Sequence, residues 1–112
     1  MFKNCDSIVE IKFVNFDTSQ STNMASMFFN CQSLKTLDLS SFNTWKVTKF
    51  SDMFKFCYAL VSVDVSNFDV RNAVNMGNMF GYCHSLISVD LSSFIILLML
   101  NILIICLGIV NL

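Results

Sequence analysis

The chain contains 112 residues with seven basic and eight acidic side chains, so its formal net charge is −1. This balance excludes the broad basic surface that nucleic-acid binding needs, and we expect no nucleic-acid partner. Only three glycines and one histidine are present, which removes phosphate-binding glycine loops and most catalytic templates. Hydrophobic residues make up 54% of the chain, and every charged residue precedes position 94. The composition therefore predicts a globular body followed by an apolar tail.

The spacing of the cysteines shows an internal repeat of 26 residues. Four of the five cysteines are separated by this interval: Cys5, Cys31, Cys57 and Cys83. The chain divides into four rows, each opening with Met-Phe-x-x-Cys, at residues 1–26, 27–52, 53–78 and 79–94, the last of them partial. We number the positions of a row as columns 1 to 26, so that the four cysteines share column 5. Units that repeat at such a length bury their apolar surface against neighbouring units.

Two hydrophobic periods alternate within each row. An i, i+3, i+4, i+7 spacing predicts a short amphipathic helix across each row boundary. At the start of row two its apolar residues are Met24, Met27, Phe28 and Cys31. Leu37, Asp38 and Leu39 then alternate between apolar and polar, which predicts a strand with one buried face, and the Ser/Asn/Thr cluster that follows predicts a turn. Each row is thus predicted to hold a strand, a turn and a short helix, with the strands of successive rows parallel.

The apolar columns of row two carry a family resemblance. The pattern Leu34-x-x-Leu37-x-Leu39-x-x-Phe42 resembles a leucine-rich repeat, whose period is usually about 20 to 29 residues. Residues 27–49 are similar to the 26-residue repeats of BspA-like surface proteins, reading Met-Phe-x-x-Cys-x-Ser-Leu-x-x-Leu-Asp-Leu-Ser-x-Phe-Asn-Thr-x-x-Val-Thr. The resemblance implies an α/β fold, a short leucine-rich-repeat solenoid of parallel strands and short helices over residues 1–94. It also implies display on the surface of bacteria or protists, with roles in adhesion and protein binding.

The tail, residues 94–112, is apolar except for Asn101, Gly108 and Asn111. At 1.5 Å per residue a helix of this length spans about 28 Å, which is close to the thickness of a bilayer core. We therefore expect a C-terminal transmembrane helix and a membrane location at the cell surface, although the N-terminus has no recognisable signal peptide. Two alternatives stay open: a lipid-anchor signal that is cleaved off, and a frameshift or splice error after Phe94.

The columns of apolar and sulfur side chains that repeat from row to row predict packing. Cysteines in the same column of successive rows form a line, whereas zinc needs four ligands that converge on one point. We therefore expect buried, reduced thiols and no metal or cofactor. A second column of aromatic rings is expected to stack in the core: Phe16, Phe42, Phe68 and Phe94. His84 is predicted at the surface without triad partners, and no enzyme activity is predicted.

A candidate binding face lies on the outward side of the predicted strands. Its residues are Asp38, Asp64 and Asp90 with Thr36, Ser62 and Ser88. Each Asp follows an inward-pointing residue, so it faces out, where it either bonds neighbouring Ser hydroxyls and turn amides or contacts a ligand. The leading hypothesis is a non-catalytic, membrane-anchored surface protein that binds host or neighbouring-cell proteins or extracellular matrix. The alternative is a truncated repeat fragment with a purely structural role, and the uncapped row ends predict self-association.

Overall fold

The computed structural model describes residues 1–94, and short turns make up most of this part of the chain. Its regular elements are β1 (Glu10–Ile11), β2 (Thr36–Leu37) and a 3₁₀ helix (Ser92–Phe94). The two strands are parallel, with Glu10 opposite Thr36 and Ile11 opposite Leu37. Single parallel bridges continue the same offset of 26 residues, in the pairs Asn23–Lys49, Lys49–Asn75 and Ser62–Ser88. Equivalent columns of successive rows therefore lie side by side.

The predicted helices are not formed, and the predicted α/β leucine-rich-repeat solenoid of strands and short helices is wrong. Residues 1–94 contain no α-helix, and each strand is only two residues long. The reason is a left-handed backbone conformation at two columns of each row boundary. Column 26 has φ between 54° and 58° at Ser26, Asp52 and Asn78, and column 4 has φ between 58° and 63° at Asn4, Asn30, Phe56 and Tyr82. A left-handed residue cannot continue a right-handed helix, so the chain makes successive turns instead.

Backbone amides at the row boundary bond alternately to the next row and within their own row. Every second amide donates to a carbonyl of the following row, with N···O distances of 2.8–2.9 Å for Ser26 to Ser51, Phe28 to Met53 and Asn30 to Lys55. The amides between them donate to the carbonyl three residues earlier, at 3.1–3.3 Å for Met27 to Met24, Phe29 to Ser26 and Cys31 to Phe28. Because half of the amides at the row boundary bond to the next row, adjacent rows satisfy each other's backbone polar groups.

The core contains the apolar columns that the helical pattern identified, although no helix carries them. Met24, Met27, Phe28 and Cys31 are all buried, and so are their equivalents in row three. A continuous stack of nearly parallel rings runs through column 2, with centroid distances of 5.7 Å for Phe2–Phe28, 5.6 Å for Phe28–Phe54 and 5.3 Å for Phe54–Phe80. Offset rings at these distances stabilise the contact beyond simple burial.

The predicted ring ladder in column 16 is only partly correct. Phe42, Phe68 and Phe94 are buried, whereas Phe16 is half-buried. Phe16 stacks on Phe42 at 5.8 Å, but Phe68 packs against Phe50 of another column at 5.8 Å. Column 2, and not column 16, therefore forms the aromatic stack that joins all four rows.

The cysteines of column 5 donate hydrogen bonds across rows. The Sγ atoms of Cys31, Cys57 and Cys83 donate to the carbonyl oxygens of Phe2, Phe28 and Phe54, at 3.0, 3.2 and 3.0 Å. These three thiols are free and buried, as predicted, whereas Cys5 is only half-buried, so the prediction is wrong for that residue. Burial raises the pKa of Cys83 to about 12 and that of Cys57 further still, which keeps both as neutral thiols.

Two buried threonine hydroxyls join rows at column 18. Thr18 Oγ1 donates to the carbonyl of Asn43 at 2.9 Å and accepts from its amide at 2.8 Å. Thr44 Oγ1 makes the same pair of bonds with the carbonyl and the amide of Asp69, at 3.0 and 2.8 Å. Each hydroxyl therefore satisfies both the amide and the carbonyl of one residue in the next row.

No helix within residues 1–94 is long and apolar enough to cross a membrane. The prediction of a transmembrane helix is therefore wrong for the part of the chain that the structure describes, where Phe94 ends the 3₁₀ helix. The rest of the predicted span, 95–112, lies outside the described residues.

Candidate binding face

The strand side of the molecule presents the six predicted residues together. Asp38, Asp64 and Asp90 are exposed, and so are Thr36, Ser62 and Ser88. Asp38 lies between the buried side chains of Leu37 and Leu39, as the alternating pattern predicted. We call this surface, formed by columns 10 and 12 with Glu10 and Lys12 of row one, the strand-side face. Its arrangement matches the prediction, while its use as a binding surface stays a prediction.

Row pairing aligns the polar columns of the strand-side face. Glu10 is opposite Thr36 in the β1–β2 pair, and Ser62 is opposite Ser88 in a separate bridge. An open groove of about 540 Å³ crosses rows one to three, and its polar lining is Glu10, Lys12, Thr36, Asp38, Ser62 and Asp64. Asp90 and Ser88 of row four extend the same columns beyond this groove. The face therefore offers hydroxyls and carboxylates in line, open to solvent along their length.

A second, smaller cavity continues the face between rows two and three. It has a volume of about 210 Å³ and reaches Asn67, a residue that the sequence did not identify. Asn67 Nδ2 donates to the carbonyl oxygens of Leu39 at 3.1 Å and Phe42 at 3.0 Å, which holds the two rows together beneath the face. The only sequence signal for this role is the polar composition of column 15, which holds Asn15, Ser41, Asn67 and Ser93.

Each aspartate of column 12 also closes a turn. The Oδ1 atoms of Asp38, Asp64 and Asp90 accept the amide hydrogen of the serine two residues later, all at 2.9 Å. The aspartates therefore bond the turn amides, which is one of the two roles expected from the sequence. An ionised carboxylate has about four lone-pair positions, so the turn bond leaves acceptor capacity for a ligand. The two roles are compatible.

The same hydrogen bonds set the charge of the face. The hydroxyl and amide of Ser40 lower the pKa of Asp38, and those of Ser66 lower the pKa of Asp64. The amide of Ser92, followed by its hydroxyl, lowers the pKa of Asp90. Repulsion from the aspartate of the preceding row opposes this effect at Asp64 and Asp90. All three carboxylates are therefore ionised at neutral pH, and the strand-side face is anionic.

Among residues 1–94, no three or more His, Cys, Asp or Glu side chains are grouped so that they could hold a metal ion. The carboxylates of column 12 lie one behind the other in successive rows and do not converge on one point. What the strand-side face can do chemically is to accept hydrogen bonds and attract positive charge over an extended length.

The described residues thus define a class, a small domain built from repeated rows with a polar face open to solvent. The chain belongs to the family described as "Mycoplasma protein of unknown function, DUF285", whose pattern it matches over residues 1–97. No curated protein and no solved structure matches it.

The lowered aspartate pKa values predict a loss of stability in acid. A carboxyl whose pKa is lower in the folded than in the unfolded state stabilises the fold above its unfolded pKa, about 3.9, and this stabilisation is lost as the pH falls through the folded pKa. Asp17 and Asp69 also have lowered pKa values, from the Ser19 amide and the Arg71 side chain. We expect a constant midpoint of thermal unfolding between about pH 5 and 7, and a decline below about pH 4. Circular dichroism at a series of pH values measures it.

The matched variant for this measurement is Asp38→Asn/Asp64→Asn/Asp90→Asn, which keeps an oxygen acceptor at each turn but cannot titrate. Its midpoint should decline less in acid than that of the natural chain. An identical acid decline in the two proteins would show that the column 12 carboxylates do not contribute to it.

Proposed function

We propose that this chain is a non-catalytic binding module that acts in adhesion and binds a protein partner along the strand-side face. The observation that carries the proposal is the groove of about 540 Å³, lined on rows two and three by exposed carboxylates and hydroxyls and on row one by Glu10 and Lys12. A surface that repeats the same chemistry from row to row suits an extended partner better than a small molecule. The anionic column favours a partner segment that carries Lys or Arg.

The proposed location is the cell surface, at the membrane. The support is the similarity of residues 27–49 to the repeats of BspA-like surface proteins. The partners proposed on this basis are proteins of a host or neighbouring cell, or of the extracellular matrix. Four rows at about 4.8 Å each give a face less than about 20 Å long, so one copy binds weakly and attachment depends on many copies acting together.

The test is attachment of beads that display many copies of the chain to a surface coated with extracellular-matrix extract. The variant Asp38→Asn/Asp64→Asn/Asp90→Asn removes the charge and keeps the shape of the strand-side face. We expect its attachment to fall at least about tenfold, because multivalency amplifies a small loss per copy. Attachment of the natural chain should also weaken as salt is raised.

The control makes the same charge change away from the face, as Asp17→Asn/Asp52→Asn/Asp69→Asn, and should attach like the natural chain. Equal attachment by the two triple variants would remove the strand-side face as the binding surface. The hypothesis of a purely structural fragment would then be favoured.

A further inference from the structure

Row one covers its apolar side chains less well than the rows behind it. In rows two and three the apolar columns 1, 2, 5, 8, 11, 13 and 16 are all buried, with at most 8% of any residue exposed. In row one the same columns hold two exposed and five half-buried residues, namely Met1, Ile8, Phe2, Cys5, Ile11, Phe13 and Phe16. The side of row one that faces away from row two, which we call the row-one edge, is therefore an open end of the core.

The opposite end of the core is better covered. Four of the seven columns stay buried in row four, with no more than 6% exposed, at Met79, Phe80, Cys83 and Phe94. The residues of its columns 8, 11 and 13 are half-buried. The two ends are therefore unequal, and the row-one edge is the more open of them.

The row-one edge presents free backbone acceptors. In rows two to four the carbonyls of columns 1 and 3 accept amides of the preceding row, as Met27 accepts from Phe2 at 2.9 Å. The equivalent carbonyls of row one, those of Met1 and Lys3, accept no hydrogen bond within residues 1–94. An acceptor of this kind, left at the edge of paired rows, can bond another chain.

Two other columns present free backbone donors at the same edge. There the amide of the following row donates, from Lys35 to the Val9 carbonyl and from Thr48 to the Thr22 carbonyl, both at 2.9 Å. The amides of Val9 and Thr22 donate to no acceptor among the described residues. An edge that has both free donors and free acceptors is complementary to a second copy of itself, because each copy supplies what the other lacks.

The size and the charge of row one also suit a second copy. A standard interface uses roughly 20–30 residues from each partner, and one row holds 26. The charged side chains of row one are two lysines and three acidic residues, which give a net charge of −1. Two such edges repel each other little, and each offers charges of both signs to the other.

We propose that two copies of this chain associate through their row-one edges as a closed, two-fold symmetric dimer. The half-buried apolar columns of the two rows pack together, and the free amides and carbonyls of each copy bond those of the other. The sequence predicted self-association at the uncapped row ends, and the unequal burial favours the end formed by row one. An edge that pairs with itself leaves no further edge of the same kind, so the assembly stops at two copies. This contact does not depend on the function proposed for the strand-side face.

The test is sedimentation velocity of the full chain at a series of concentrations. We expect the mass to rise with concentration to twice that of one chain and to stay there. The variant Ile8→Asp places a carboxylate on the row-one edge, where Ile8 is 37% exposed. It should dimerise at least about tenfold more weakly, because the contact would bury an unpaired charge. The control Leu86→Asp makes the same change in column 8 of row four and should dimerise like the natural chain. Circular dichroism compares the folding of both variants.

Hydrogen exchange gives a second measurement that needs no variant and therefore remains decisive if Ile8→Asp does not fold. The amides of Val9 and Thr22 should exchange more slowly as the concentration of the natural chain rises. Exchange at these two amides that is independent of concentration would overturn the proposal. So would a chain that stays monomeric throughout, a mass that rises beyond two copies, or a dimer that Ile8→Asp weakens no more than Leu86→Asp does.

Discussion

Replacing Phe54 by alanine is expected to lower the free energy of unfolding by about 3–5 kcal/mol, the usual cost of removing a buried phenylalanine ring. Phe54 is fully buried in row three and stacks on Phe28 at 5.6 Å and on Phe80 at 5.3 Å. The variant loses both ring contacts and leaves a cavity at the centre of the stack. Since the free energy of unfolding of small domains is only about 5–15 kcal/mol, the loss of this ring removes a large fraction of it. Urea unfolding followed by circular dichroism measures the change.

The control for this prediction is Phe29→Ala, which removes a half-buried ring from row two outside the column 2 stack. Its loss should be clearly smaller than that of Phe54→Ala, because less apolar area leaves the interior. A Phe54→Ala variant within about 1 kcal/mol of the natural chain would contradict the packing described for column 2.

Thr44→Val is expected to destabilise the chain by about 1–3 kcal/mol, the cost of leaving a buried polar group without a partner. Thr44 is 1% exposed, and its hydroxyl serves both the amide and the carbonyl of Asp69, at 2.8 and 3.0 Å. Valine has the same shape, so the effect reports hydrogen bonding and not a cavity. Row three already carries a buried valine, Val70, in the same column, which shows that the column accepts this side chain.

Thr48→Val is the matched control, because Thr48 Oγ1 donates only one bond, to the Thr22 carbonyl at 3.2 Å, in an exposed setting. Hydrogen exchange gives a second measurement: the Asp69 amide should exchange faster in Thr44→Val and unchanged in Thr48→Val. Equal stability of the two variants, with unchanged protection of Asp69, would rule out the hydroxyl as a link between rows.

The sequence predicted which columns are buried but not the backbone that buries them. Met24, Met27, Phe28 and Cys31 have the spacing of a helical face, and successive turns with left-handed residues place the same positions inside. A signal for these turns exists at column 26, where Ser, Asp and Asn recur, and at column 4 of the first two rows. Phe56 and Tyr82 conceal it, because aromatic residues rarely adopt a positive φ.

The candidate site was predictable to the extent that it depends on local alternation. Asp38 lies outside because Leu37 and Leu39 lie inside, and its turn bond to Ser40 was one of two stated alternatives. The groove and the role of Asn67 depend on how side chains of different rows meet. These features depend on contacts between residues about 26 positions apart in the chain. A hydrophobic pattern within one row does not predict such contacts.

The parallel bridges of this fold all join residues 26 apart, and this regular offset governs which changes in chain length the protein can accept. Duplication or loss of one whole row leaves every remaining side chain in its column, with its ring, thiol or hydroxyl partner one row away. Insertion of a single residue instead moves all later positions of that row by one column and turns buried side chains toward solvent. We therefore expect the fold to accept changes in length by whole rows, each of which lengthens or shortens its strand-side face by one row.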